Sequence, residues 1–88
     1  MTIDLEDVCR TVALVMGRRN TNAGDRLIED LGAESFDVLN VVVTLEQKYG
    51  ISIDETAMAT VSTVRDLYDV VVKSPHAAIP PADPARSA

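Results

Sequence analysis

From Ile3 to Met16 the apolar residues Leu5, Val8, Val12, Val15 and Met16 recur at three- and four-residue spacing, the face of an amphipathic helix. Thr2 or Asp4 suits its start and Gly17 its end. Arg18 to Gly24, with Asn20, Thr21 and Asn22, has turn composition and no period, so it predicts a loop. Leu27, Ile28 and Leu31 then supply apolar anchors that pin the loop to a core. A second helix is predicted over Ser35–Tyr49, apolar almost all round, with Gly50 as its stop. Its run Val41-Val42-Val43 also fits a buried strand, and periodicity alone leaves both open. The length of the segment and its polar residues Asp37, Asn40, Thr44, Glu46 and Gln47 favour helix.

Ser52-Ile53-Asp54-Glu55 has the form of a capping box opening a short third helix through Ala59. Thr63-Val64-Arg65-Asp66 repeats the signal before a fourth helix that ends near Lys73. From Ser74 onward, Pro75, Pro80, Pro81 and Pro84 alternate with alanines and charges, a composition that predicts a flexible tail. The expectation is therefore an all-α four-helix bundle over residues 1–73, three longer helices plus a short third, with a long loop between helices one and two and a tail over 74–88.

Composition narrows this further. A chain of 88 residues with a single cysteine, Cys9, has no intramolecular disulfide available and must rely on a simple core. Cys9 itself reads as a small hydrophobe. The acidic start and the short apolar runs predict neither a signal peptide nor a membrane span, so a soluble, cytoplasmic monomer is expected. Net charge is -6, and the one dense basic spot is Arg18-Arg19, which argues against nucleic acid as a partner. Acidic domains instead steer toward basic protein surfaces.

The chemistry concentrates in Asp30-Leu31-Gly32-Ala33-Glu34-Ser35-Phe36-Asp37, where a serine stands at a loop-to-helix junction. The plainest role for Ser35 is a helix N-cap, contributing about 1 kcal/mol. A catalytic nucleophile is a poor reading, because the only histidine, His76, lies in the Pro/Ala segment and the second glycine of a nucleophile elbow is missing.

The order of helix, long loop, serine-initiated helix, short helix and final helix resembles an acyl carrier protein. Glu29 to Asp37 is similar to the phosphopantetheine attachment motif, and the likeness continues through Leu45-Glu46-Gln47-Lys48-Tyr49-Gly50-Ile51-Ser52-Ile53-Asp54 and Ser62-Thr63-Val64. It covers roughly Asp4 to Lys73. The resemblance implies a non-catalytic carrier with 4'-phosphopantetheine attached covalently at Ser35 from coenzyme A, bearing acyl or related groups as thioesters in fatty-acid-like, polyketide-like or other specialised biosynthesis. Its implied partners are a phosphopantetheinyl transferase and acyl-loading, condensing and modifying enzymes with basic docking patches.

Glu34, Asp37, Glu46, Asp54 and Glu55 match acidic docking positions of the family. Phe36 and Asn40 lie on the same rim, where the family more often has Leu and a carboxylate, and Gln47 and Lys48 are also departures. Val41, Leu45, Ile53, Ala57, Met58 and Val61 are expected either to line a cargo cleft between helices two and three or simply to fill the core. No metal site is expected. Two other readings stand beside the acyl carrier: a peptidyl or aryl carrier of nonribosomal synthesis, and a helical interaction module in which Ser35 is only a cap.

Overall fold

Four amphipathic segments capped by their own side chains give four helices. The computed structural model describes residues 3–76 and contains α1 (Leu5–Met16), α2 (Ser35–Tyr49), α3 (Glu55–Met58) and α4 (Val64–Lys73). The all-α expectation holds, and the valine run of α2 is helical. Thr2 and residues 77–88 of the expected tail lie outside the described residues.

Each boundary has a local cause. Asp4 caps α1 by accepting from the Glu6 N–H at 3.1 Å, and Gly17 ends it in the left-handed region at φ 70°. Thr63 and Asp66 form the expected reciprocal box on α4: the Asp66 N–H donates to the Thr63 hydroxyl at 3.1 Å, and the Thr63 N–H donates to the Asp66 carboxylate at 3.0 Å. The start of α3 differs from expectation. Its cap is Asp54, which accepts from the Thr56 N–H at 3.0 Å, and the helix is one turn ending at Met58. Asp54 directly precedes the helix, so its side chain reaches the amide of the second helical residue, whereas the Ser52 N–H donates to the Pro75 carbonyl at 3.0 Å.

Packing follows from these faces. α1 lies against both α2 and α4, and α3 against α4. Val8 and Val12 from α1, Val41 and Leu45 from α2, and Val64, Leu67 and Val71 from α4 meet in one core, joined by Ile51 and Ile53 after α2. α3 buries no residue. Of the loop anchors, Leu27 and Leu31 are buried, but Ile28 is 65% exposed and faces outward. Beyond α4, His76 pairs with Ile51 in an isolated antiparallel bridge, so residues 74–76 run beside the connection from α2 to α3.

The long loop is held by backbone bonds to the start of α4. The Leu27 N–H donates to the Ser62 carbonyl at 2.8 Å, the Val64 N–H to the Asp25 carbonyl at 3.0 Å and the Arg65 N–H to the Ala23 carbonyl at 2.9 Å. The last two occupy amides that a helix start otherwise leaves free. A further strut comes from Arg18, whose guanidinium donates to the Leu31 carbonyl at 3.3 Å.

Two measurements test this account. Leu67→Ala empties a fully buried site and is expected to lose about 2–5 kcal/mol in urea unfolding, while Val72→Ala, half-exposed on the same helix, stays within about 0.5 kcal/mol of wild type. Asp66 is held below the usual carboxylate range, chiefly by accepting from the Thr63 and Ser62 backbone N–H groups. A depressed folded-state value stabilises the fold above the ordinary carboxylate pKa of about 3.9 and loses that contribution as pH falls through the folded value. The stability gap between wild type and Asp66→Asn should therefore be widest at neutral pH and close in acid; a gap independent of pH would contradict it.

Candidate functional site

The path of the chain into α2 determines what Ser35 can do. Arg26 anchors a compact turn, pairing with Glu29 at 3.0 Å, while its N–H donates to the Asp30 carboxylate at 2.8 Å. This contact, with the Arg26 side chain, holds the Asp30 carboxyl below its usual range. The Gly32 N–H donates to the Ile28 carbonyl and the Ala33 N–H to the Leu27 carbonyl at 2.9 Å. Closing the turn needs φ +71° at Gly32, a left-handed conformation that residues with a Cβ rarely adopt. Ala33 is then buried, and Glu34 leaves in an extended conformation, φ -99° and ψ 171°.

That geometry makes Glu34 the N-cap of α2 and Ser35 its first helical residue, which corrects the reading of Ser35 as the cap. Glu34 and Asp37 close a capping box over the first turn; its firm arm is the Glu34 N–H donating to the Asp37 carboxylate at 3.0 Å. The preference for serine over glutamate at caps pointed to the wrong residue. The pair of carboxylates three residues apart was the available signal. With the turn capped by its neighbours, Ser35 stands exposed and its hydroxyl lies outside the capping scheme.

Beside Ser35 opens a cleft of about 290 Å³ lined by Leu27, Ile28, Glu29, Ser35, Val38, Met58, Val61 and Ser62. It lies between the loop turn, the start of α2 and the segment around α3. Of the six residues expected to line a cleft, Met58 and Val61 do so. Val41, Leu45 and Ile53 are core residues, and Ala57 borders a separate depression with Ser52, Asp54, Val70 and Lys73. Leu27, Ile28, Glu29, Val38 and Ser62 were not anticipated. The sequence carries no mark of them, since Leu27 and Ile28 are equally apolar there and only the fold turns Ile28 outward.

The expected docking residues divide into two kinds. Glu34, Phe36, Asp54 and Glu55 are exposed. Asp37, Asn40 and Glu46 are partly buried and take part in the fold: Asp37 in the box above, Glu46 by accepting from the Ile53 N–H at 2.9 Å, and Asn40 by accepting from the Thr44 hydroxyl at 2.7 Å through its carbonyl. Asp54 caps α3, and acceptance from the Thr56 N–H lowers its pKa. Cys9 is half-buried on α1, where burial pushes its thiol up, and borders another depression with Arg10 and Arg19.

The arrangement suits an anionic substituent on the Ser35 oxygen. The group would meet the amides of the first turn of a 15-residue helix, where aligned peptide dipoles favour negative charge by about 0.3–1 kcal/mol when exposed. An extended, largely apolar chain continuing from it has the cleft beside it. No helix among the described residues is long and apolar enough to cross a membrane.

Known proteins resemble this chain over most of its length. A family model described as "Phosphopantetheine attachment site" matches residues 6–71. The chain is 33% identical over 69 residues to the chloroplastic acyl carrier protein 2 of Hordeum vulgare, covering 76% of this chain and 54% of that protein. It is 31% identical over 71 residues to the chloroplastic acyl carrier protein 1 of Casuarina glauca, covering 78% and 52% respectively. An acyl carrier protein of Thermotoga maritima shares 35% identity over 48 residues, 54% of this chain and 59% of that one. The chain thus spans about half the length of the curated relatives it matches.

Since Ser35 does not cap α2, Ser35→Ala should unfold within about 0.5 kcal/mol of wild type, whereas Glu34→Ala or Asp37→Ala should lose about 1 kcal/mol. Urea denaturation of the three variants decides between this assignment and a capping serine, for which Ser35→Ala would be the costly change.

Proposed function

This chain belongs to the acyl carrier protein family, and we propose that Ser35 is the residue through which it holds the family's prosthetic group. That group is covalently attached 4'-phosphopantetheine. When bound, it supplies a terminal thiol on which acyl groups travel as thioesters. The observation that carries the assignment is the exposed Ser35 hydroxyl at the first position of α2, outside the capping scheme and at the mouth of the cleft.

The chain's own residues then divide the work. The first turn of α2, with its positive dipole end, favours a negative group on the oxygen of Ser35. Val38, Met58 and Val61 offer apolar surface to a carried chain, each buried methylene contributing up to about 0.8 kcal/mol. Among the residues lining the cleft none is basic, and the one ionisable side chain, Glu29, is paired with Arg26. Deprotonation of Ser35 is accordingly the task of a separate phosphopantetheinyl transferase, and the domain itself acts as a non-catalytic carrier. Acyl cargo, in fatty-acid-like or polyketide-like synthesis, is the reading favoured by the acyl carrier proteins it resembles over 31–35% identity.

Incubation of the purified chain with coenzyme A, magnesium and a broad-specificity phosphopantetheinyl transferase, followed by intact mass, tests the reading. Wild type should gain the mass of one phosphopantetheine and Ser35→Ala should gain none. An unmodified wild type of native helicity, or a modified Ser35→Ala, would refute it.

A further inference from the structure

α3 stands between two spaces. Met58 lines the cleft beside Ser35, while its neighbour Ala57 lines a second depression of about 170 Å³. That depression is bordered by Val70 and Lys73 of α4 and by Ser74 and Pro75 beyond its end. A displacement of α3 therefore enlarges one space and narrows the other.

The span that carries α3 can make such a shift cheaply. No residue from Asp54 to Thr63 is buried, although Ile53 before the span and Val64 after it are. Few buried contacts mean a low cost of displacement. Both ends of the span are fixed by backbone bonds, the Leu27 N–H donating to the Ser62 carbonyl at 2.8 Å at one end and the Ser52 N–H to the Pro75 carbonyl at 3.0 Å at the other. Pro75 is steadied in turn by Ser74, whose hydroxyl donates to the Val70 carbonyl at 2.7 Å and whose N–H donates to the Val71 carbonyl at 3.2 Å. The fixed φ of proline stiffens this short strap further. Residues 74–76 thus bound the depression at the end where the span begins.

We propose that the depression is the room into which α3 withdraws as a longer acyl group enters the cleft, and that Ala57 and the Ser74–His76 strap set the longest group the cleft shelters. The proposal rests on Ser35 being the attachment residue. Ala57 touches no cargo in this account; its small side chain leaves the depression empty, and a larger one would fill it. Groups short of the limit are accommodated alike, since the span yields at low cost. Each methylene removed from water adds to the shelter until α3 meets the strap, and carbons beyond that point stay in water.

The test loads Ser35 of the full chain with acyl-phosphopantetheine groups of about four to about twelve carbons, transferred from the acyl-coenzymes A by a broad-specificity phosphopantetheinyl transferase. Protection is the rate of thioester cleavage by hydroxylamine on free acyl-coenzyme A divided by the rate on the loaded chain. In wild type it should rise with length to at least about fivefold and then fall. Ala57→Leu should shorten the best-protected group by about two carbons or more and leave the shortest within about twofold of wild type. Ser74→Gly/Pro75→Gly, which frees the strap, should move the maximum to longer groups and speed amide exchange at Ser52 about tenfold, with Leu67 unchanged. Val72→Ala, half-exposed on α4 and away from the depression, should keep the wild-type profile. Circular dichroism and urea midpoints check that the variants are folded.

A maximum at the same length in wild type and both variants overturns the proposal. So does a change by one common factor at every length, because a merely structural role acts on all groups alike. Because the two variants are expected to move the maximum in opposite directions, either one decides if the other fails to fold. Wild-type thioesters cleaved as fast as free acyl-coenzyme A at every length also overturn it, with attachment at Ser35 left standing. A folded wild type that takes up no acyl-phosphopantetheine would instead overturn the assignment of Ser35, so the two failures are told apart by intact mass.

Discussion

The clasp between the long loop and the start of α4 is the constraint from which the site follows. Two amides of a helix start need acceptors, and here they find them in the carbonyls of Asp25 and Ala23 while Leu27 donates back to Ser62. Each such bond contributes about 0.5–1.5 kcal/mol net, yet losing one leaves a polar group unsatisfied, which costs more. The loop is thus bound to the helical frame at its centre. From that fixed point the Arg26 turn, the left-handed Gly32 and the extended Glu34 deliver Ser35 to the head of α2. A serine on an untethered loop of the same sequence would have no defined relation to the cleft.

The helices were legible because their causes are local. The spacing of Val8 and Val12, the Asp4 and Thr63 caps and the glycines at 17 and 50 all act within a few residues of themselves. Ser35–Tyr49 was read with its observed ends for that reason. The clasp left no trace in the pattern, since it joins backbone groups and not side chains. The choice between cleft and core stayed open for a related reason: Val41, Leu45 and Ile53 are apolar whether they face a cavity or a core, and only the position of the loop decides which. At α2 and α3 a general preference for serine caps was overridden by carboxylates one residue before each helix, Glu34 and Asp54.

Charge shows the same division between sequence and fold. A net charge of -6 suggests a surface rich in free carboxylates. In the structure Asp4, Asp37, Glu46, Asp54 and Asp66 accept from backbone N–H groups at helix starts and connections. Much of the acidity near α2 and α3 therefore maintains the backbone, and the outward face of α2 is left comparatively apolar. Counting acidic residues overstates how far charge can guide a partner to this helix.

α3 is a single turn with no buried residue, and it carries Met58, one wall of the cleft beside Ser35. The opposite wall, through Leu27, is bolted to α4. Segments with few buried contacts open at the smallest free-energy cost, so one jaw of this cleft is stiff and the other compliant. A volume enclosed by such a pair is the mean of a fluctuating quantity, and guests of different size alter it at similar cost. On the carrier role proposed above, such a cleft discriminates bluntly among guests, and selectivity passes to whatever surface receives the domain.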